Sequence, residues 1–276
     1  MGGAKYFKDQ FQIQKFKLEC GDCSNFYLGC FQKNRSCIPL LLIRAILFFG
    51  SLAIVIASLV IQIEADVGDY WLIYLTHWGI LLMTIACGFG FAVSLRAYFG
   101  GPIDATFGLP WYIVTYWILY NIATPIALFI TLFYWAILYP IIKNNDDEAA
   151  ELDLALDPVL DIFIHAINSV VMVILLLTSR HPSHILHFYF PFFFGVLYMV
   201  FSIIYYIVGG TDPYGNLYVY PVLDWSEPGA ATITIAVCSI LIILIHALVS
   251  ALMLARNSLG KLYRKDQSLE ISNGFP

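Results

Sequence analysis

At 276 residues, 60% hydrophobic and only 12% charged, with a mean hydropathy of +0.79, the chain carries about half the charged fraction of a soluble domain. That excludes a soluble enzyme or a separate soluble domain of any size. The formal net charge of −5 says little about partners, because the charges are segregated along the chain; membrane lipid is the expected partner, and neither a nucleic acid nor a cofactor is.

Residues 1–37 read as a polar, aromatic, Cys-containing tail without the apolar run of a cleavable signal. Met1-Gly2-Gly3-Ala4-Lys5-Tyr6 opens like a myristoylation signal, with Tyr6 where Ser or Thr is wanted. Cys20, Cys23, Cys30 and Cys37 fall in this tail. The first two have zinc-ligand spacing and the second two do not, so no metal is expected. Cys30 and Cys37, beside the membrane, are candidates for reversible lipidation, with free thiols the ordinary outcome.

Six apolar spans follow: Ile38–Ile63, Tyr70–Leu95, Trp111–Ile142, Val159–Thr178, Phe188–Val208 and Ala231–Leu254. Each is long enough to cross a hydrocarbon core of about 30 Å at ~1.5 Å per residue. The expected fold class is therefore all-α, a polytopic bundle of six transmembrane helices over residues 38–255 with a short basic tail at 256–276. Gly88 and Gly90 on span two allow close helix approach. Pro125 on span three, beside Asn121 and Thr124, predicts a kink. Tyr and Trp cluster near the span ends, among them Tyr134, Trp135, Tyr218 and Tyr220, as interface anchors do. No span carries a row of basic residues, no filter loop is visible, and no internal repeat supports a transporter built from inverted halves.

The basic residues predict the orientation. If the spans alternate, Lys5, Lys8, Lys15, Lys17, Lys33, Arg35, Arg44, Arg96, Arg180, Arg256, Lys261, Arg264 and Lys265 share one side, and Lys143 stands alone on the other. The positive side is the cytoplasmic one, so both termini are expected in the cytosol. The acidic run Asp146 to Asp157 then faces outward as a solvated loop. Asn34-Arg35-Ser36, the sole glycosylation sequon, would lie in the cytosol and stay bare.

Ionisable groups inside a span mark a functional site by default, because lipid penalises them. On span four Asp161, His165 and Asn168 stand at i, i+4 and i+7, one helix face. Thr76 and His77 enter span two from the same outer side. Helix rise puts Thr76 and His165 at comparable depths of about 8 and 9 Å. Histidine is the usual base for a hydroxyl nucleophile, and an acid one turn away fixes its tautomer. Thr76, His165 and Asp161 are thus the candidate catalytic set, with His77, Asn168 and Asn121 as pocket polar groups. The competing reading is that these groups only hold helices together, and spacing alone favours it.

The segments Tyr74-Leu75-Thr76, Leu138-Tyr139-Pro140, Tyr218-Val219-Tyr220-Pro221-Val222-Leu223 and Pro228-Gly229-Ala230, with His165, resemble those of the insect rolling stone proteins, within the wider androgen-induced membrane hydrolase family. The resemblance covers spans two to six. The wider family implies threonine hydrolases of fatty-acid esters of hydroxy fatty acids, with the nucleophile at Thr76. The catalytic histidine of that family falls on Asn168, which cannot serve as a base, and its neighbour falls on His165. The rolling stone branch implies instead a plasma-membrane component of myoblast fusion, structural or interacting, with fusion-partner proteins unnamed. The expected function is this second one, with the hydrolase as the alternative.

Overall fold

The computed structural model describes residues 10–144 and 157–273. The myristoylation-like start and the acidic run up to residue 156 lie outside the described residues. Six helices are long and apolar enough to cross a membrane: α1 (Ile38–Glu64), α2 (Leu75–Gly100), α3 (Trp111–Ile141), α4 (Pro158–Thr178), α5 (Ile185–Ile207) and α6 (Pro228–Arg264). Among the described residues there is no strand. The chain is an all-helical, multi-pass membrane protein.

Burial separates centre from rim. In α2, α3 and α4 the most apolar stretch is 56%, 50% and 50% buried, against 28%, 17% and 28% in α1, α5 and α6. The rim helices turn Leu42, Ile46, Phe193, Leu197, Ile233 and Leu244 outward, which costs nothing in lipid. Inside, α2 and α3 approach closely because glycine lines their seam. A Cβ on Gly79 would lie 2.2 Å from Ile130 Cδ1, and one on Gly90 2.9 Å from the Tyr116 ring. Packing that depends on missing side chains is the ordinary route to helix association in lipid.

Both tails join the bundle at one end. Asp22 caps the short turn Cys23–Phe26 by accepting from Ser24 N. Phe26 and Cys30 are buried, and Cys30 N donates to the last turn of α4 at Thr178 O (3.0 Å). The sixth helix continues past Leu254, where the apolar span ends, to Asn273. Hydropathy reports the lipid, not the helix; the stretch beyond Leu254 contains no proline to end the helix before Asn273, and Arg256, Lys261, Arg264, Lys265, Gln267 and Glu270 favour it. At the opposite end the 208–227 connection folds down. Asp212 organises it by accepting from Tyr214 N (3.0 Å), Asn216 N (2.8 Å) and Asn216 Nδ2 (3.0 Å). It closes a second core of Ile73, Tyr74, Tyr134, Leu138, Tyr198, Val219 and Tyr220. Tyr134 and Tyr220, read from the sequence as interface anchors, are therefore buried.

Candidate functional site

The start of α4 is built to place one imidazole. Asp157 caps it, accepting from Val159 N and Leu160 N at 2.8 Å, with Pro158 in the first turn. The helix then widens into a π turn over Phe163–Ile167, a feature that recurs at functional sites. Asp161 Oδ1 lies 2.7 Å from His165 Nδ1. An ionised carboxylate only accepts, so it selects the tautomer with the proton on Nδ1 and leaves Nε2 as the base. The His165 carbonyl, displaced by the π turn, accepts from the Thr131 hydroxyl at 2.6 Å.

A second π turn, Tyr134–Leu138 on α3, faces the first. The Tyr134 ring stacks on His165 with centroids 3.5 Å apart and planes 4° apart. Across from them, α2 begins without a side-chain cap of its own. Leu75 N donates instead to the Tyr220 hydroxyl (2.9 Å), and Tyr198 donates to Ile73 O (2.8 Å). Thr76 and His77 follow in the first turn. Thr76, His77, His165, Tyr74, Ile164 and Tyr220 line one cavity of about 10 Å³. Burial pushes the Tyr220 phenol up to about 12, although Leu75 N–H and the Tyr198 and Thr76 hydroxyls pull the other way. It therefore stays protonated beside Thr76.

The remaining sequence candidates are placed differently. His77 belongs to a closed ring of donors: Trp71 Nε1–H to Ser58 Oγ (3.0 Å), Ser58 Oγ to His77 Nε2 (3.3 Å) and His77 Nδ1–H to the Trp71 carbonyl. Both its nitrogens serve the seam between α1 and α2. Asn168 turns to α3, where its Oδ1 accepts from Thr131 (3.1 Å); its Nδ2 is buried without a partner. Asn121 lies at the tail end, with Nδ2 3.4 Å from His187 Nδ1. Cys30 has its thiol 3.5 Å from the Arg256 carbonyl, so an acyl chain there requires the tail to leave α6. Cys37 is half-buried.

Sequence reasoning passed over a second polar core at the tail end. Arg44 is fully buried and reaches Phe26 O (2.7 Å), Gly90 O (2.9 Å), Ser94 Oγ (2.8 Å), the Tyr116 hydroxyl (3.0 Å) and Ser179 Oγ (3.5 Å). Arg256 donates to Leu176 O (2.5 Å) and His181 O (2.9 Å). Burial, then Arg256 and Arg44, hold His181 well below the ordinary imidazole value. Arg44 counted in the sequence only towards orientation; its place several residues inside a span was the signal of its burial. Among the described residues, no group of three or more His, Cys, Asp or Glu is arranged to hold a metal.

The comparisons with known proteins agree on one group. A family model described as Protein rolling stone matches residues 3–269. Protein rolling stone of Drosophila melanogaster is 31% identical over 242 residues, covering 83% of this chain and 82% of that protein. No solved structure matches.

Proposed function

The chain belongs to the rolling stone family, and on that premise we propose that it acts at the plasma membrane in myoblast fusion during muscle development, with both tails in the cytosol. Family membership carries this reading. The architecture suits an organiser of membrane or partner proteins better than a long-range adhesin: the connection 208–227 is folded on itself by Asp212 and tied to the start of α2 by Tyr220, which holds that loop close to the bundle. The test is rescue of cytoplasmic content mixing in myoblasts deprived of the protein. Restored mixing supports the role; normal mixing without the protein ends it.

A second reading, an intramembrane threonine hydrolase of lipid esters, draws support from one observation. Thr76 and His165 line the same cavity, and Asp161 holds His165 Nδ1. In this reading His165 Nε2 takes the Thr76 proton as the hydroxyl attacks the ester carbonyl. Asp161 stabilises the imidazolium, and the proton then passes to the leaving alkoxide. His165, not Asn168, is the base. An apolar cavity of about 90 Å³ shares Leu75 and Tyr220 with the site's surroundings and runs between α3, α5 and α6, a setting for an acyl chain. A fluorophosphonate probe decides: labelling that vanishes in Thr76→Ala supports the enzyme, and no labelling of the folded wild type refutes it.

A further inference from the structure

The end of the bundle that carries both tails gathers cations around open space. Arg180, just past the end of α4, lines a cavity of about 250 Å³ with Lys261 and Arg264 of α6. A second cavity, of about 490 Å³, shares Arg180 and Arg264 with the first and adds Lys33 and Arg35 from the amino-terminal tail. Asp22 is the single carboxylate among the described residues of either lining, and its Oδ1 is already occupied by Ser24 N at 2.9 Å. Three chain segments, far apart in sequence, thus bring five cations to one place with Asp22 as the one acid among the described residues lining it.

These cations differ from the two buried arginines nearby. The Arg44 and Arg256 guanidiniums are occupied by carbonyls and hydroxyls. Arg264 donates to the Cys30 carbonyl, whereas Arg180 has no hydrogen-bond partner among the described residues. Burial and then the like charge of Arg264 hold Arg180 below the usual guanidinium range, and Asp22, which pulls the other way, does not offset them. A half-desolvated fork beside a second fork is short of an anion.

Depth narrows the identity of that anion. The apolar stretch of α6 ends at Leu254, and Lys261 lies about 10 Å further along the helix. Thr178 closes α4 immediately before Arg180. The cavities therefore open where hydrocarbon gives way to headgroups. A phosphomonoester carries up to about two negative charges and three acceptor oxygens, which suits paired guanidiniums better than a single carboxylate does.

We infer that the two adjoining cavities bind the phosphorylated headgroup of an anionic lipid of the phosphoinositide class, with Arg180 and Arg264 on the phosphate oxygens and Lys33, Arg35 and Lys261 around them. The site is separate from the Thr76 cavity; the inference rests on the proposed cytosolic placement of both tails and on no other part of that reading.

The experiment titrates the detergent-solubilised full chain with short-chain phosphatidylinositol bisphosphate, inositol trisphosphate, inorganic phosphate and short-chain phosphatidylcholine, reading saturable binding by native mass spectrometry. Phosphatidylinositol bisphosphate is expected to bind saturably and phosphatidylcholine not to. Arg180→Gln and Lys261→Gln are each expected to weaken binding about fivefold, and Lys15→Gln, outside both linings, to leave it unchanged. Lys261 is exposed, so its variant keeps the test open should Arg180→Gln fail to fold. Tighter binding of the lipid than of inositol trisphosphate assigns the site to a membrane headgroup; equal binding assigns it to a soluble phosphate and overturns the lipid assignment. Absence of saturable binding, or wild-type binding by both pocket variants, overturns the site itself.

Discussion

Tyr134 and His165 lie face to face, 3.5 Å between ring centroids, and each is carried by a π turn on its own helix. Two local departures from α-helical winding thus meet at one contact. Tyr134→Phe, which keeps the ring, is expected to cost under about 1.5 kcal/mol. Tyr134→Ala, which empties the space over the imidazole, is expected to cost about 3–5 kcal/mol. Denaturation midpoints of the two variants in one detergent check this; equal midpoints would show that the stack contributes nothing.

Asp161 fixes which His165 nitrogen is basic in the hydrolase reading. Asp161→Asn is nearly isosteric, and the side chain is partly exposed, so the fold should survive. The amide favours the wrong tautomer, and probe labelling at Thr76 should fall by up to about 10⁴-fold. Wild-type labelling rates in that variant would separate Asp161 from the chemistry.

Added bulk at Gly79 on the α2–α3 seam must displace the end of the Ile130 side chain, because a Cβ there runs into Ile130 Cδ1. Gly79→Val is expected to destabilise by about 1–3 kcal/mol through overpacking. Adding Ile130→Ala should return most of that loss, since it removes the clashing atoms. A double-mutant cycle on thermal midpoints measures the coupling.

His181 makes the protein acid-sensitive. Its folded-state affinity for protons lies well below the ordinary value of 6.5, so below that pH the unfolded chain takes up a proton that the folded one refuses. Stability from this residue is intact above about pH 6.5 and falls by up to about 1.4 kcal/mol per pH unit on acidification. His181→Gln should flatten the slope of the denaturation midpoint between neutral and mildly acidic pH. An unchanged slope would mean that His181 takes up its proton equally in the folded and unfolded states.

The orientation proposed here predicts a bare Asn34. Mobility of the expressed protein that does not change on deglycosylation agrees with cytosolic tails, and a glycan released from Asn34 would invert the bundle.

Much of this fold is legible in the sequence, for a physical reason. Lipid demands about twenty consecutive apolar residues per crossing, so the helices announce themselves by length. The i, i+4 relation of Asp161 and His165 is likewise written in helical spacing. What spacing cannot convey is which helix faces which. Thr76 and His165 come together only through the packing of α2 against α4, and Asn168, on the same face as His165 by count, turns to Thr131 because the π turn rotates the helix between them. Tyr220 was visible as a motif, but its bond to Leu75 N spans 145 positions. The π turns have no sequence signature that hydropathy detects.

The hydrogen bonds of Arg44 carry a consequence for biosynthesis. Its partners sit on the tail, α2, α3 and the segment after α4, most of which leave the ribosome after α1. A newly inserted α1 holds an unsatisfied guanidinium inside the bilayer, at a cost of up to about 2.5–3.5 kcal/mol, until later helices arrive. The native place of the first helix is therefore completed late: its guanidinium finds its full set of partners only once α2, α3 and the segment after α4 have packed around it.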